Sequence, residues 1–378
     1  MLMNENTSAP VQRLKRNPGL WGDVVIHPGH EQDVVVPVTE SYSGREVEFP
    51  VHIKRGLAPG PTIFVTAAVH GDELNGTGAI RSLIVDEDVK LLAGTLILVP
   101  VINVLGFETH SRYLPDRRDL NRCFPGSSGG SQASRLARVV FDEIVGRCDY
   151  GIDLHTAAVR RTNFPNVRGD MNNPKVKEIA NVFGCEIIVN DRGPEGAFRR
   201  AACDAGCGTI ILEAGEVWKV EPMVVEYAIR GVKNVLCHFG MMAGEPVLPT
   251  FRSVVEKTTW VRANHAGFLQ FHVSPGSIVH QGDPVATSTS LLGRDPVTIE
   301  APCDGIVLGM TTLPVTAPGE PVCHIAQLPR GVDRVERIVE GMSKHNLHTR
   351  IHSDLTTNIT VVDAGEVEAA PAGEKELG

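Results

Sequence analysis

The chain has 378 residues, of which 42% are hydrophobic and 21% charged, so a packed globular protein is expected and a disordered one is excluded. This length is typical of two or three domains. The net charge of −9 argues against nucleic acid or an anionic membrane as the main partner.

The first part of the chain predicts alternating strands and helices. Strands are predicted at residues 34–38, 47–54, 61–68, 95–101, 150–154, 186–189 and 209–212. Helices are predicted at residues 75–85, 134–145 and 175–183. This alternation is typical of an α/β fold, and we expect a mixed, largely parallel sheet between helices. Loops at residues 160–168 and 191–199 are expected to set the width of a pocket.

Two features of composition bear on where the protein works. Residues 1–20 contain no apolar run of the kind found in secretory signals, and the longest apolar stretch, at 95–106, is too short to span a bilayer. The 8 cysteines are scattered without CxxC pairs, which favours free thiols in a reducing compartment. A cytoplasmic protein without a membrane partner is therefore expected.

Beyond about residue 248 the pattern changes to short alternating segments separated by Gly and Pro. Residues 260–328 predict a small all-β domain. Its turns resemble those of biotinyl and lipoyl carriers, but no Lys occurs between Lys257 and Lys344, which excludes lysine-linked carriage there. A helix is predicted at residues 332–343, a solvated segment around His345, His348 and His352, and an acidic, disordered tail at 364–378.

These changes of pattern suggest four segments. Residues 1–44 are expected to form an N-terminal extension with the first strands, and residues 45–247 a catalytic α/β domain. Residues 248–328 are the predicted all-β domain, and residues 329–378 hold the last helix and the tail.

The first candidate for chemistry is the pair His70 and Glu73, which follows the predicted strand 61–68. An imidazole and a carboxylate three residues apart at a strand-to-helix turn can bind the same metal ion. Zinc hydrolases commonly add a third protein ligand and leave a fourth position for water. The HxxE pattern alone is a weak signal in a chain with 14 His.

His155 is the natural third ligand. It ends the predicted strand 150–154, and open α/β sheets build their sites at the carboxyl ends of such strands. Asp153 lies two residues earlier, where a carboxylate can orient the imidazole. A core histidine satisfied by the backbone is the alternative, but together with His70 and Glu73 the pattern favours a metal site.

Glu213 closes the apolar strand 209–212. A carboxylate in this position is either a helix cap or a functional acid. Metal-assisted hydrolysis needs a group that takes a proton from water and returns it to the leaving amine, and Glu213 is the candidate.

Arginine is concentrated in one segment of the chain. Residues 112–168 contain ten Arg and no Lys, against six Asp and Glu. Arginine suits bidentate recognition of a carboxylate, although about half of these side chains are expected to form salt bridges instead. The candidates for a second anionic contact are Arg160, Arg161, Arg168 and Arg199.

The order of these motifs resembles the succinylglutamate desuccinylase/aspartoacylase family, relatives of zinc carboxypeptidases. The resemblance rests on His70-x-x-Glu73, Asn121-Arg122, His155 and Glu213, and covers about residues 45–240. Within the family the chain looks most like the bacterial predicted deacylases, which include N-acetyl-diaminobutanoate deacetylase.

The resemblance implies one zinc ion per chain on His70, Glu73 and His155, with Glu213 as general base and acid. It implies that Asn121 and Arg122 grip the substrate carboxylate. Arg112 would polarise the scissile carbonyl, with Arg117 and Arg118 as alternatives.

The implied activity is hydrolysis of a small, anionic N-acyl amino acid or a related amide. A metallocarboxypeptidase acting on short peptides is the alternative, and a non-catalytic zinc or ligand-binding module a further one. Among substrate-binding residues we include Arg160 and Arg168. A homo-oligomer is left open by the sequence.

Overall fold

The computed structural model describes residues 15–41, 43–328, 331–356, 361–362 and 364. Its strands are β1 (Leu20–Trp21), β2 (Val24–Val25), β3 (Glu31–Glu40), β4 (Glu46–Arg55), β5 (Ala58–Ala67), β6 (Ala93–Val99), β7 (Tyr150–His155), β8 (Arg161–Gly169), β9 (Ile187–Asn190), β10 (Gly208–Glu216), β11 (Ser253–Val255), β12 (Thr258–Arg262), β13 (Gly267–Phe271), β14 (Ile278–Val279), β15 (Pro284–Thr289), β16 (Val297–Glu300), β17 (Gly305–Thr311), β18 (Val315–Thr316) and β19 (Pro321–Gln327). Its α-helices are α1 (Asn75–Val85), α2 (Val104–Glu108), α3 (Gln132–Glu143), α4 (Pro174–Phe183), α5 (Phe198–Asp204), α6 (Pro222–His238), α7 (Val332–Glu340) and α8 (Leu347–Thr356).

Thirteen of the described strands form one mixed sheet, with the order β12-β19-β17-β8-β10-β7-β5-β6-β4-β3 along its main path. The central strands β6, β5, β7 and β10 run parallel to one another. β4 and β3 continue one edge in antiparallel pairing, and β8, β17, β19 and β12 continue the other. The parallel centre brings the carboxyl ends of several strands to one edge of the sheet.

Both faces of the central strands are buried. In β5, Ile63 and Val65 enter the hydrophobic core that includes side chains of α1, α4 and α6. Phe64, between them, enters a second core with side chains of α3 and α5. The sequence of β5 is therefore a continuous apolar run, because a strand that is covered on both faces has no polar side.

The C-terminal strands are divided between two sheets. β12, β14, β17 and β19 belong to the main sheet, whereas β13, β15, β16 and β18 form a four-stranded antiparallel sheet. A third hydrophobic core contains side chains from both, among them Val285 and Val322. β17 joins β8 with Gly309 opposite Asn163, so the C-terminal strands extend the sheet that carries the parallel centre.

The predicted fold class is confirmed: a large mixed sheet with helices and an additional antiparallel β region. Parallel pairing is confined to the centre of the sheet and to the β8–β9 and β9–β11 pairs, so the sheet is less parallel than expected. The four predicted segment boundaries stay predictions. The predicted tail at 364–378 lies outside the described residues except for residue 364.

Three elements differ from the sequence-based expectation. The loop expected at 160–168 is largely strand β8, whose apolar residues do not alternate and which contains Pro165. α6, which has 17 residues, is not predicted by the sequence analysis. The segment expected to be solvated contains α8, in which Ile351 and Leu355 are fully buried against the main core.

Among the residues that the structure describes, no helix combines the length and the apolar character that crossing a membrane requires.

Candidate active site

Three neighbouring parallel strands, β5, β7 and β10, bring the predicted site residues together. His155 is the last residue of β7, and Glu213 lies beside it in the register of the parallel pair β7–β10. His70 and Glu73 lie in the connection between β5 and α1. Gly71 between them lies against the backbone of Gly106 and Phe107, where a Cβ atom would overlap. The close approach of this loop to its neighbour therefore requires glycine.

His70, Glu73 and His155, here called the ligand cluster, converge on one point. Nδ1 of His70 lies 2.6 Å from Oε1 of Glu73, and Nδ1 of His155 lies 3.0 Å from Oε2. One donor atom from each of the three side chains lies within 4.8 Å of the others, and all three residues are buried. Two imidazole nitrogens and one carboxylate are a typical protein ligand set of catalytic zinc sites.

Acidic side chains contact the far nitrogen of each imidazole. Nε2 of His155 lies 2.7 Å from Oδ2 of Asp153, whose other oxygen accepts a hydrogen bond of 2.8 Å from the hydroxyl of Thr66. Nε2 of His70 lies 3.3 Å from Oδ1 of Asp119. A carboxylate at Nε2 favours the tautomer that leaves Nδ1 as the lone-pair nitrogen, which is the form that binds a metal.

In the ligand cluster, the attraction between opposite charges shifts the pKa values further than burial does. Burial opposes the charged form of Glu73, but His70 and His155 hold its pKa well below the ordinary value. Burial also lowers the pKa of His155, yet Asp153 and Glu73 raise it well above its ordinary value overall. The pKa of His70 is raised by Glu73 and Asp119 against the same desolvation. Without metal, the cluster therefore holds a carboxylate between imidazoles that favour protonation, and a metal ion competes with those protons.

The ligand cluster opens into a cavity of about 350 Å³. The predicted site residues that line it are His70, Glu73, Arg112, Asn121, Arg122, His155, Arg168 and Glu213. Arg160 is not among the lining residues; its carbonyl accepts a hydrogen bond of 2.9 Å from the backbone of Thr312. Its neighbour Arg161, the first residue of β8, lines the cavity instead, whereas Arg160 precedes β8 in a left-handed backbone conformation with a φ of 65°.

Arg112 is the one of the three candidate arginines that lines the cavity. Nη1 lies 3.5 Å from Oε1 of Glu73, and Nη2 lies 2.9 Å from Oδ2 of Asp119. Arg117 and Arg118 are exposed and do not line it. Asp119 therefore contacts both His70 and Arg112, and their charges hold its pKa well below the ordinary value despite desolvation.

Asn121 and Arg122 lie in a 3-10 turn at Leu120–Arg122, which follows the N-cap residue Asp119. Oδ1 of Asn121 accepts a hydrogen bond of 2.8 Å from the backbone of Phe198, which fixes the amide group. The guanidinium of Arg122 donates to the carbonyl of Asn121 at 2.7 Å. Both side chains line the cavity, as expected for a pair that grips a ligand.

The other end of the cavity, here called the arginine end, is lined by Arg161, Arg168, Arg199, Trp260 and His324. The rings of Trp260 and His324 are stacked at 4.2 Å, and the guanidinium of Arg161 lies 4.8 Å from the Trp260 ring. Burial, together with Arg168 and Arg161, lowers the pKa of His324 to about 3. His324 is therefore neutral at physiological pH.

Arg199 is almost completely buried at the arginine end. Nη2 donates to Oδ2 of Asp191 at 3.1 Å, whereas Nη1 has no hydrogen-bond partner within the described part of the chain. A buried guanidinium nitrogen without a partner is costly, and an anionic ligand would satisfy it.

The sequence analysis misses several residues of the site. Asp119, Asn163, Trp260 and His324 are not among the residues predicted from the sequence. The sequence signal that could have indicated Asp119 is its position two residues before the Asn121-Arg122 pair. No sequence signal indicates the others, because they reach the cavity through the pairing of distant strands.

A larger and mostly apolar groove of about 1060 Å³ lies between β3, β4 and α1. None of the predicted site residues lines it, so the smaller cavity is the candidate active site.

Comparison with known proteins finds the same family that the sequence motifs resemble. Residues 59–239 match the family model of the succinylglutamate desuccinylase/aspartoacylase catalytic domain. The resemblance predicted from the motifs is thus confirmed.

Relatives of the succinylglutamate desuccinylase/aspartoacylase family extend over most of the chain. The N-alpha-acetyl-L-2,4-diaminobutyric acid deacetylase of Halomonas elongata is 27% identical over 290 residues, which cover 73% of this chain and 84% of that protein. A solved family structure from Rhodobacter sphaeroides is 25% identical, with a TM-score of 0.69, covering 79% of this chain and 95% of its own.

The product-bound ectoine utilization protein EutE (DoeB) of Ruegeria pomeroyi has the same fold. Its TM-score is 0.71 at 22% identity, and the match covers 83% of this chain and 100% of that one. The predicted class of enzyme, an amidohydrolase of the deacylase type, is confirmed by the family match and the curated relative.

Proposed function

We propose that the protein is a zinc-dependent deacylase that hydrolyses the amide bond of a small, anionic N-acyl amino acid or a related amide. The observation that carries the proposal is that the ligand cluster, Glu213 and the pair Asn121-Arg122 line one cavity. Its volume of about 350 Å³ suits a small molecule. The deacetylase of Halomonas elongata supports the N-acyl amino acid class.

In this proposal His70, Glu73 and His155 hold one zinc ion per chain. The donor set fits zinc, since two neutral imidazole nitrogens and a carboxylate leave a position for water. The carboxylate of Asp153, hydrogen-bonded to the far nitrogen of His155, supports the fit, and the carboxylate of Asp119 lies 3.3 Å from the far nitrogen of His70. When bound, zinc supplies a Lewis acid for the amide carbonyl and lowers the pKa of water.

Glu213 is the proposed general base and acid. It takes a proton from the attacking water and gives it to the departing amine. Arg112 stabilises the negative charge that develops on the carbonyl oxygen, because its guanidinium lies beside Glu73 at the same end of the cavity.

The remaining polar residues of the cavity hold the substrate. Asn121 and Arg122 bind its carboxylate, and Arg168 with Arg199 provides a second anionic contact at the arginine end. Arg160 takes no part, since its side chain does not line the cavity.

A metallocarboxypeptidase acting on short peptides would use the same ligands and the same base. The curated relative, a deacetylase, favours the deacylase. A non-catalytic zinc module is disfavoured because Glu213 lines the same cavity as the ligand cluster. Cytoplasmic location and homo-oligomer formation stay predictions.

The test is a substrate panel on the zinc-loaded protein. N-acetyl, N-succinyl and longer N-acyl amino acids are compared with dipeptides, and amine release is measured. We expect hydrolysis of at least one N-acyl amino acid, with dipeptides turned over far more slowly. Turnover confined to dipeptides would assign the carboxypeptidase activity instead, and no turnover of either class would overturn the proposal.

A further inference from the structure

The carboxylate of Glu213 has a side-chain hydrogen-bond donor that the proposed function does not use. Nδ2 of Asn163 donates to Oε2 of Glu213 at 3.2 Å, and both side chains line the cavity. Asn163 is in β8, the antiparallel neighbour of β10. With Oε2 held by this amide, Oε1 is the oxygen through which Glu213 can exchange protons with a substrate.

The backbone at Glu213 gives a reason for such a donor. The pairing of β10 with β8 shifts its register between Glu213 and Gly215, where the ladder is irregular. β-Bulges of this kind re-aim a side chain near active sites, but the interrupted ladder constrains it less than regular pairing does. A hydrogen bond to the carboxylate itself supplies the missing constraint.

Asn163 in turn depends on a glycine of the C-terminal strands. Gly309 of β17 lies directly opposite Asn163 in the antiparallel pair β8–β17. A Cβ atom at Gly309 would overlap Oδ1 of Asn163. Oδ1 is the free end of a side chain, so the Asn163 amide would move. The same Cβ would lie 3.0 Å from the backbone carbonyl oxygen of Thr162, which needs to shift by only a few tenths of an ångström, so the fold would be retained.

We infer that Asn163 is a positioning residue that holds the carboxylate of Glu213 in its working orientation, and that Gly309 keeps the space that Asn163 needs. Gly309 thereby supports the reaction without lining the cavity itself. This inference rests on the proposed role of Glu213 and adds residues to which the family resemblance gives no role.

The expected effect is on turnover and not on substrate binding. Asn163→Ala removes the donor, and Gly309→Ala displaces it, so each variant should lower kcat roughly 10- to 100-fold, as expected for a hydrogen bond to a charged group. KM should stay within about threefold of the wild-type value, because the residues proposed to bind the substrate are unchanged.

The decisive measurement is the double variant Asn163→Ala/Gly309→Ala. Alanine at position 163 has no Oδ1 to overlap with a Cβ at position 309. The double variant should therefore be no slower than Asn163→Ala alone, within about threefold, whereas independent effects would multiply. Gly129→Ala is the matched control, since a Cβ at Gly129 has open space around it, and it should behave as wild type.

The outcomes separate this inference from the proposed function. If wild-type protein hydrolyses an N-acyl amino acid but Asn163→Ala keeps full kcat, the positioning role is wrong. Multiplying losses in the double variant, or a raised KM with unchanged kcat, would also overturn it. A wild-type protein without amide hydrolysis refutes the proposed function, and in that case the role of Asn163 fails with it.

Discussion

The two ends of the cavity are built differently. In the ligand cluster, each imidazole contacts carboxylates at both nitrogens, and Glu73 contacts both imidazoles. At the arginine end, the ring of His324 is stacked on Trp260, and no side-chain hydrogen bond of His324 is found within the described residues. Charge-assisted contacts on every imidazole fix the first end in one geometry, whereas the second is held by ring stacking and by single hydrogen bonds of Arg168 to Asn166 and of Arg199 to Asp191. Chemistry is thus expected to depend on the first end and substrate choice on the second.

The same contrast appears in the histidines. Neighbouring carboxylates raise the pKa of His70 and His155 against desolvation, whereas burial and two arginines lower that of His324 to about 3. One end therefore favours protonated imidazoles when no metal is bound, and the other favours a neutral one. Four predictions test this contrast.

The largest effect is expected at Glu213. Glu213→Gln keeps the shape of the side chain but removes the base, so turnover should fall roughly 10²- to 10⁴-fold. Zinc content should be unchanged, because Glu213 is not a ligand. His155→Ala should instead lose the metal, and elemental analysis of both variants distinguishes the two roles. Near-normal activity of zinc-loaded Glu213→Gln would refute the assignment.

The second largest effect is expected at Asp153, whose carboxylate contacts Nε2 of His155. The two oxygens of Asp153 accept hydrogen bonds from Thr66 and from Nε2–H of His155. An asparagine has only one acceptor oxygen and no charge, so Asp153→Asn weakens the support of His155, and zinc affinity should fall roughly 10- to 100-fold. Competition with a chelator measures the change. Asp149→Asn is the control, because Asp149 lies before the opposite end of β7, bonded to the backbone of Thr62. Equal zinc affinity in both variants would show that Asp153 has no such role.

The arginine end should affect substrate binding. Arg168→Ala removes a charged contact, which we expect to raise KM for an N-acyl amino acid roughly 10- to 100-fold with a smaller change in kcat. Arg160→Ala, eight residues earlier and outside the cavity, should leave both parameters unchanged. Steady-state kinetics of the two variants measures the difference. Indistinguishable KM values for Arg168→Ala and Arg160→Ala would show that Arg168 does not bind the substrate.

The smallest effect concerns stability and pH. His324 has a pKa of about 3 in the folded protein and an ordinary value near 6.5 when unfolded, so the unfolded state binds more protons between these values. Its contribution to stability is complete above pH 6.5 and is lost as pH falls. At pH 5 the loss should reach about 2 kcal/mol.

Urea unfolding of the metal-free protein at pH 7 and pH 5 measures this loss. His324→Phe keeps a ring on Trp260 and should lose less stability on acidification than wild type, by up to about 2 kcal/mol. The exposed His265 supplies the control variant His265→Phe. The raised pKa values of His70 and His155 act in the opposite direction, since their contribution is present below pH 6.5 and is lost as pH rises through the folded values. Parallel behaviour of wild type and His324→Phe would contradict the neutral state of His324.

The sequence predicts the residues around the ligand cluster better than those of the arginine end. His70, His155 and Glu213 could be predicted because each follows or ends an apolar strand, and the carboxyl ends of parallel strands meet at one edge. Asn163, Trp260 and His324 could not, because they reach the cavity only through the antiparallel strands β8, β17, β19 and β12. β8 carries polar residues toward the cavity and includes Pro165, so its pattern is typical of a loop. Which distant strands become neighbours is decided by tertiary packing, which no local pattern records.

The pairing of β8 with β17 has a consequence for dissecting the enzyme. The family match ends at residue 239, but a chain cut there would lack β17 and leave the first residues of β8 without their partner on that side. The exposed edge of β8 would then be available for pairing with strands of other molecules. Trp260 and His324 would be lost from the cavity wall with the same cut. A truncated catalytic domain is therefore expected to aggregate and to have an open, less selective site, so the smallest useful expression unit extends through β19.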